Sequence, residues 1–498
     1  MAADQEIKNG GESLEQVEIR IPLISQEQPT KGSFREYGFM VYVATFVAAC
    51  GSFAFGSCVC YSSPTQSAIR EDFHLSLAEY SVFGSIATFG AMIGAITSGG
   101  IADYIGRKRT MLLSSGVSIV GWLSIYFAQG VMLLGIGRLA TGYGMGIFSY
   151  IAPVFIAEIA PKDLRGMLTT ICGVMLCTGV SVSFIIGTIV SWRTLALTGI
   201  IPCVILPLGL LIIPESPRWL AKRGNHKEFE ASLQTLRGNN ADISVEAAEI
   251  QDYIETLEKL PKAKVFDLFR KRYLLSLTVK CFFLLRLYSC GYLLTMNYPI
   301  GVGLMVGQQL GGINGICYYA SSIFESAGFP ANVGTLFYAI LQIIFTALGA
   351  LIIDGAGRKP PLVISGAGLV IGCLLTGSSF FLKEHGLAPD AAPALAVTGI
   401  LVYVGAFAMG MGAIPWVVMS EIFPMNIKGV AGSLVTLTNW FAAWICTLTF
   451  NFLMSWSSYG TFILFAAINA LVIVFVIKVV PETKRRTLEQ IQAGINAS

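Results

Sequence analysis

Twelve apolar stretches of about 20 residues dominate this sequence, and each is long enough to cross the roughly 30 Å hydrocarbon core of a membrane as a helix. Six precede a polar segment at 214–272, and six follow it. The predicted spans lie near 38–60, 80–101, 111–129, 131–154, 167–190, 194–213, 301–321, 332–353, 361–382, 395–419, 430–454 and 460–479. The pattern predicts an all-α integral membrane protein rather than a set of soluble domains.

The composition excludes several other classes of protein. Hydrophobic residues make up 54% of the chain and charged residues only 13%, whereas soluble domains carry about 25% charged residues. The net charge of +3 is too small to indicate nucleic-acid binding. The spans contain no nucleophile–base pair and no Cys/His cluster with metal spacing, so we expect neither an enzyme nor a metal or cofactor.

The basic residues predict the orientation. Most of the 33 lysines and arginines fall in segments that share one side of the membrane, and the positive-inside rule makes that side cytoplasmic. An even number of spans then leaves both termini in the cytoplasm. The predicted parts are a cytoplasmic tail at 1–37, a six-helix bundle at 38–213, an intracellular helical loop at 214–272, a second six-helix bundle at 273–480 and a cytoplasmic tail at 481–498.

Three short motifs occur twice, each time six spans apart. The pairs are Gly106-Arg107-Lys108 with Gly357-Arg358-Lys359, Glu158-Ile-Ala-Pro with Glu421-Ile-Phe-Pro, and Pro214-Glu215 with Pro481-Glu482. Internal repetition at a fixed distance indicates two homologous units. The repeat therefore predicts two related six-helix bundles.

This pattern resembles the major facilitator superfamily. The ordered set GRKR, PESPRWL, QQLGGIN and PETK is similar to that of the sugar porter family, over about residues 38 to 490. FGSCVCYSSPTQ at 55–66 and MSEIFPMNIKGVAG at 419–432 resemble the plant early-responsive-to-dehydration-like monosaccharide transporters. The resemblance implies twelve helices in two pseudo-symmetric bundles. It also implies a monomer that carries glucose-like hexoses across a lipid bilayer by alternating access.

Acidic and basic side chains of the repeated motifs are expected to pair at the cytoplasmic ends of the spans. They are Asp103, Arg107, Glu158 and Arg165 in the first bundle, and Asp354, Arg358, Glu421 and Lys428 in the second. By resemblance, the pairs close the cytoplasmic side in one state and break in the other; alternatively, they only anchor the helices. Lys428 stands where the family usually has arginine, and an ammonium group cannot form a bidentate ion pair.

Neutral polar residues inside the later spans form the predicted substrate site. A sugar is a neutral polyol that needs amide or hydroxyl partners, and such groups are costly inside a membrane. By resemblance, the sugar contacts are Gln308, Gln309, Asn314, Gln342, Trp416 and Asn439. Gly311 and Gly312 are expected to loosen the seventh span, and Pro415 to break the tenth. The competing interpretation of each amide is a hydrogen bond between helices.

Cys58 and Arg138 bear on energy coupling. Proton-coupled relatives carry an aspartate in the first span that faces an arginine in the fourth. Here Cys58 stands at the aspartate position, while Arg138 is retained. A thiol, with an ordinary pKa of about 8.5, is a poor proton carrier near neutral pH, which favours facilitated diffusion. Proton–sugar symport through Glu158 or Asp103 is one alternative. A non-transporting sugar sensor is another, although the tails are short for a sensor.

Two further features concern targeting and an anomalous segment. Glu18 before Leu23-Ile24 is similar to an acidic dileucine signal, which favours the vacuolar membrane, with the plasma membrane as the alternative.

Residues 279–300 do not fit the twelve-span plan, because a thirteenth span would put the later basic loops on the wrong side. They are either a membrane-surface or re-entrant segment or, as we favour, an in-frame retained intron.

Overall fold

The computed structural model describes residues 38–161, 163–238, 240–259, 297–422 and 428–482. In the helices, the side chains of 257–259, 297–299, 350–356, 420 and 428–431 are also outside the description. The predictions for the N-terminal tail, for residues 279–296, for the C-terminal tail after residue 482 and for the side chains of Asp354 and Lys428 therefore lie outside the described residues.

The first six predicted spans are all helical. Their bounds are Phe39–Cys60, Leu77–Ile105, Arg107–Tyr126, Val131–Ile159, Arg165–Gly187 and Trp192–Leu210. A short helix, Ser62–Asp72, follows the first span. The second span begins with a capping box, in which the Ser76 hydroxyl accepts the Glu79 amide and the Glu79 carboxylate accepts the Ser76 amide. These bonds satisfy amides that have no partner inside the helix.

Small residues bring the second and fourth spans into close contact. A Cβ atom on Gly142 would lie 2.2 Å from the carbonyl oxygen of Ala87, and one on Gly94 would lie 2.2 Å from that of Tyr143. Backbones can approach this closely only where side chains are absent. The contact fixes the fourth span, which carries Arg138 in its second turn.

Three amphipathic helices follow the sixth span, as the leucine, isoleucine and valine spacing indicates. They are Pro217–Lys222, His226–Arg237 and Ser244–Lys259. Leu220, Phe229, Leu233 and Ile250 are buried together and form a small apolar core of their own. The polar faces are left to solvent.

The second six predicted spans are helical too, but the seventh and tenth are interrupted. The seventh consists of Asn297–Leu310, Ile313–Tyr318 and Ala320–Ala327, and the tenth of Ala392–Ala406, the π-helix Phe407–Met411 and Ile414–Ile422. The uninterrupted spans are Ala331–Ala356, Lys359–Glu384, Lys428–Trp456 and Ser458–Val479.

The seventh span begins earlier than predicted and breaks where predicted. Its helix starts at Asn297, so residues 297–300 of the anomalous segment belong to this span. The helix stops at Leu310, and Gly312 has φ of 107° in the left-handed region. Glycine adopts this conformation at little steric cost.

The break in the tenth span lies before Pro415 rather than at it. Residues 407–411 form a π-helix, and the next helix starts at Ile414. Pro415 is therefore in the first turn, where its missing amide costs no intrahelical hydrogen bond. The π turn, which is often found at functional sites, supplies the irregular backbone that the proline was expected to supply.

The fold class predicted from the sequence is confirmed: the chain is an all-α membrane protein with two six-helix bundles. Within the described residues, ten helical stretches are long and apolar enough to cross a membrane; the third span and the broken seventh are outside that set. Large apolar side chains such as Leu211, Ile189 and Trp456 are 74–82% exposed, which suits lipid as the surrounding solvent.

Among the contacts between the two bundles are two hydrogen bonds near one end of the molecule. We call the end with the repeated motifs and the loop helices the latch side, and the opposite end the far side. The Asn451 amide donates to Ser81 Oγ over 2.9 Å, and the backbone amide of Ser321 donates to Ser63 Oγ over 2.9 Å. Both pairs join the bundles near the far side.

Candidate functional site

Four of the predicted polar residues form one hydrogen-bonded chain in the second bundle. Gln309 Nε2 donates to Asn439 Oδ1 over 2.8 Å and lies 3.4 Å from Gln308 Oε1. Asn314 Nδ2 donates to Gln309 Oε1. The seventh span thus supplies three amides and the eleventh supplies one, with Gln309 in the centre.

The interruptions of the two broken spans position this chain. Gly312 turns the backbone so that Asn314, five residues after Gln309, still reaches its carboxamide. Gln308 Nε2 donates to the carbonyl oxygens of Met411 and Gly412, over 2.6 and 3.1 Å. These carbonyls are available because the π turn and the gap before Ile414 leave them without a helical partner.

Gln342 and Trp416 lie outside this hydrogen-bonded chain. Gln342, in the eighth span, lies beside Cys177 of the fifth span, and its buried Oε1 atom has no hydrogen-bond partner among the described residues. Trp416 is half-buried in the helix that follows the carbonyls bound by Gln308. An unsatisfied buried acceptor costs roughly 1–3 kcal/mol, so Gln342 Oε1 is an available partner for a ligand hydroxyl.

The site faces the first bundle across an aromatic contact. The Trp440 ring, next to Asn439, lies 5.9 Å from the Phe55 ring of the first span. The amides offer donors and acceptors without net charge, and the nearby rings offer apolar surface. This arrangement can bind a neutral, hydroxyl-rich ligand between the bundles.

Arg138 is fully buried and is held by neutral groups. Its Nη1 donates to the Cys58 carbonyl oxygen over 2.9 Å, and its Nη2 donates to Ser62 Oγ over 2.6 Å. The Cys58 thiol lies 3.5 Å from Nη1. The guanidinium also lies 5.5 Å from the Tyr61 ring centre and 5.7 Å from that of Phe83. Cation–π contacts partly replace the missing carboxylate.

The predicted ion pairs of the first bundle centre on Arg107. Its Nη2 and Nε atoms donate to the two Glu158 oxygens over 2.8 and 2.9 Å, a bidentate pair between the third and fourth spans. Nη1 also lies 3.2 Å from Asp103. Arg165 pairs with neither acid in the described part of the chain; it lies near Arg218 and Glu246 of the loop instead.

In the second bundle, Arg358 Nη2 donates to Glu421 Oε1 over 2.8 Å. This pair joins the ninth and tenth spans, as Arg107–Glu158 joins the third and fourth. The side chains of Asp354 and Lys428 are outside the described residues. The pairs of Arg107 with Glu158 and of Arg358 with Glu421 therefore each lie within one bundle.

Two glutamates that sequence reasoning did not select complete the latch side. Glu215 accepts the backbone amides of Arg107 and Lys108, over 3.2 and 3.1 Å. Glu482 accepts those of Arg358 and Lys359, both over 3.0 Å. Each carboxylate thus caps a span that follows a repeated glycine, a position that favours negative charge.

The signal for these caps was present in the sequence, because Pro214-Glu215 and Pro481-Glu482 repeat with the glycine motifs. The glycines have matching φ angles of 96° at Gly106 and 90° at Gly357. Burial raises the pKa of the Glu215 carboxyl, and the backbone amides that it accepts act in the opposite direction. Among the described residues, no cluster of three or more potential metal ligands is found.

The chain is similar to known transport proteins. The model of the family described as sugar (and other) transporter matches residues 44–494. Sugar transporter ERD6-like 7 of Arabidopsis thaliana is 63% identical over 478 residues, which cover 96% of this chain and 98% of the relative. Sugar transporter ERD6-like 16 of the same plant is 53% identical and covers 99% of both chains.

A solved structure has the same fold. It is that of the proton:xylose symporter XylE bound to 6-bromo-6-deoxy-D-glucose, which is 26% identical with a TM-score of 0.71. The match covers 91% of this chain and 98% of that one.

Proposed function

The chain belongs to the sugar transporter family of the major facilitator superfamily, and from this premise we propose that it carries a monosaccharide across a membrane by facilitated diffusion. The observation that carries the proposal is the neutral chain of amides around Gln309. A neutral polyol exchanges its hydrogen bonds with water for bonds to these amides, and no charge has to be buried.

Each predicted contact has a role in this proposal. Gln308, Gln309, Asn314 and Asn439 bind sugar hydroxyls, and they are held in place by one another before the sugar arrives. Gln342 supplies the unpartnered acceptor from the eighth span. Trp416 covers an apolar face of the ring, as aromatic side chains with one polar edge commonly do.

Alternating access follows from the way the bundles meet. The hydrogen bonds Ser81–Asn451 and Ser63–Ser321 support a conformation that is closed on the far side. The ion pairs Arg107–Glu158 and Arg358–Glu421 hold helix ends within each bundle. We propose that these networks change between the two states, so that the amide site opens to one side at a time.

The surroundings of Arg138 support facilitated diffusion over proton coupling. A proton carrier beside this arginine would need a group that titrates near the working pH. The groups that contact its nitrogens are a carbonyl, a hydroxyl and the Cys58 thiol. Asp103 and Glu158, the carboxylates of the alternative mechanism, are engaged by Arg107 on the latch side.

The remaining proposals concern where the protein works. We propose that the latch side is cytoplasmic, with both termini there, because the repeated basic motifs lie on it. We propose the vacuolar membrane as the site, with the plasma membrane as the alternative, and a single chain as the functional unit.

The deciding experiment is labelled-glucose transport by the purified full chain in proteoliposomes. We expect counterflow at equal pH on both sides, and no accumulation above equilibrium when an inward proton gradient is added. Trp416→Ala is expected to raise the KM, whereas Trp456→Ala, a matched change at an exposed far-side tryptophan, leaves it unchanged.

Other outcomes would redirect the assignment. Accumulation that depends on the proton gradient would establish symport instead. Folded protein without counterflow of glucose, xylose or fructose would contradict transport of these sugars and favour the sensor interpretation.

A further inference from the structure

Two cysteines from opposite bundles meet at the far side. Cys60 is the last residue of the first span, and Cys317 lies in the short helix Ile313–Tyr318 of the seventh. Their Sγ atoms are 3.7 Å apart, although 257 residues separate them in the chain. Both side chains are buried, with 0% and 6% exposed.

The surrounding contacts tie this thiol pair to the closure of the far side. Three residues after Cys60, Ser63 Oγ lies 3.0 Å from Ser321 Oγ and accepts the Ser321 amide. Tyr338 of the eighth span lies against Cys317. The thiols are therefore adjacent only while the bundles are packed together here, and any opening of the far side separates them.

The distance is short enough for a covalent bond. A disulfide requires Sγ atoms about 2.05 Å apart and Cβ atoms about 3.5–4.5 Å apart. Starting from 3.7 Å, the two sulfurs have to approach each other by about 1.6 Å to reach this bond length. This distinguishes them from the other buried cysteines, for instance Cys373, which lies inside the ninth span.

We propose that Cys60 and Cys317 form an oxidation site, and that a disulfide between them locks the two bundles together on the far side. The oxidant is a small peroxide such as hydrogen peroxide. The lock rests on the proposed function, because it inhibits only a protein that must open on this side.

The chemistry proceeds in two balanced steps. One thiol attacks the peroxide, an O–O bond breaks, and a sulfenic acid and one water form. The second thiol then attacks the sulfenic sulfur, an S–S bond forms, and the hydroxyl leaves as a second water. The two sulfurs together lose two electrons, which the peroxide gains.

The conformational cycle explains how buried thiols meet the oxidant. Thiols in the closed state are shielded and unreactive. Opening of the far side exposes both to water, where one is oxidised, and closing brings the sulfenic acid to its partner. Repeated cycling therefore leaves molecules linked in the closed conformation, and transport stops in these molecules.

The test treats the full chain in proteoliposomes with hydrogen peroxide, quenches free thiols, and analyses a non-reducing digest by mass spectrometry. We expect a peptide pair joined through Cys60 and Cys317. Counterflow should fall with the linked fraction, by about tenfold when nine-tenths of the molecules are linked, because a linked molecule cannot leave one state. Dithiothreitol should remove the link and restore counterflow.

Matched variants separate this site from other thiols. Cys60→Ser and Cys317→Ser should each abolish the link and protect counterflow, whereas Cys373→Ser should behave as the parent does. Cys177→Ser should also retain the link, although Cys177 lies near the pair.

Several results would overturn the proposal. They are oxidised protein with no peptide joined through Cys60 and Cys317, linked protein that still transports, or equal inhibition of the serine variants. If untreated protein shows no counterflow, the proposed function fails, while the mass spectrum still decides whether the disulfide forms.

Discussion

At the residue scale, Gln309 is the centre of the amide chain, since it binds Asn439 and Asn314 and lies beside Gln308. We predict that Gln309→Ala raises the KM of counterflow by roughly 10-fold or more, because each lost hydrogen bond in a buried site costs about 1–2 kcal/mol. The measurement is counterflow over a range of glucose concentrations.

The matched control is Gln251→Ala, which removes a half-buried amide from the loop helix Ser244–Lys259, outside the amide chain. It should leave the KM unchanged. An unchanged KM in Gln309→Ala as well would show that the amide chain only joins helices, which is the competing interpretation of these residues.

Cys58 allows a second prediction at this scale. Cys58→Asp places a carboxylate where the thiol now lies, 3.5 Å from Arg138 Nη1. The guanidinium favours the charged carboxylate while the two groups are close, so a change of their separation during the cycle lets the aspartate regain and lose a proton. We expect glucose uptake by this variant to become dependent on pH, with net uptake stimulated by an inward proton gradient.

Cys58→Ser keeps the size of the side chain without an acidic group, and its uptake should remain independent of the gradient. Gradient stimulation of the parent chain itself would refute the assignment of Cys58 as the feature that uncouples transport from protons.

The residues of the site differ in how far they could be predicted. Gln308, Gln309 and Asn314 lie within seven residues of the same predicted span. Their proximity therefore followed from that span. The bonds from Gln308 to the Met411 and Gly412 carbonyls did not, because they depend on a π turn that has no residue signature.

At the scale of elements, the two interrupted spans show what local sequence can specify. The Gly311–Gly312 pair predicted the break in the seventh span, because only glycine accepts left-handed φ without strain. Pro415 predicted a break in the tenth, yet the break precedes it. A proline is compatible with the first turn of a helix, so its presence marks the vicinity of a break and not its position.

The break in the seventh span yields a third prediction. In Gly312→Ala the new Cβ would lie 2.6 Å from the Phe465 ring at φ of 107°, which costs at least about 1–2 kcal/mol. We expect a lower melting temperature in detergent together with a loss of counterflow, since the turn sets Asn314 against Gln309.

The control for this change is Gly116→Ala in the third span, where an added Cβ meets no atom within 4 Å. Within a helix this substitution is neutral or stabilising by up to about 1 kcal/mol. A melting temperature of Gly312→Ala equal to that of Gly116→Ala would mean that the turn tolerates a side chain and does not position the site.

At the scale of the whole molecule, the repeat explains why the fold could be predicted so completely. Apolar stretches of one length, with basic loops on one side, leave few topologies, and the paired motifs divide the spans into equal halves. The packing between the halves was beyond prediction. Pairs such as Ser81–Asn451 depend on which conformation the bundles adopt.

The anomalous segment supplies a fourth prediction at this scale. We expect a chain lacking residues 279–300 to show counterflow at least equal to that of the full chain, because the deletion ends before Gln308 and the rest of the amide chain. The deletion also removes Ile300, which is buried in the seventh span. Loss of counterflow in the shortened chain, with folded protein, would therefore argue that the segment belongs to the working protein.

The two capping glutamates test whether the halves are equivalent in stability as well as in sequence. Glu215→Ala and Glu482→Ala each leave two backbone amides at the start of a span without their acceptor, at a cost of about 1–3 kcal/mol. Because the glycine angles and the acceptor distances match between the halves, we expect both variants to melt at similarly lowered temperatures. Glu228→Gln, a change at an exposed acid of the loop, should leave the melting temperature unchanged. If only one of the capping variants is destabilised, the repeated motif stabilises one bundle alone, and its second copy is retained for another reason.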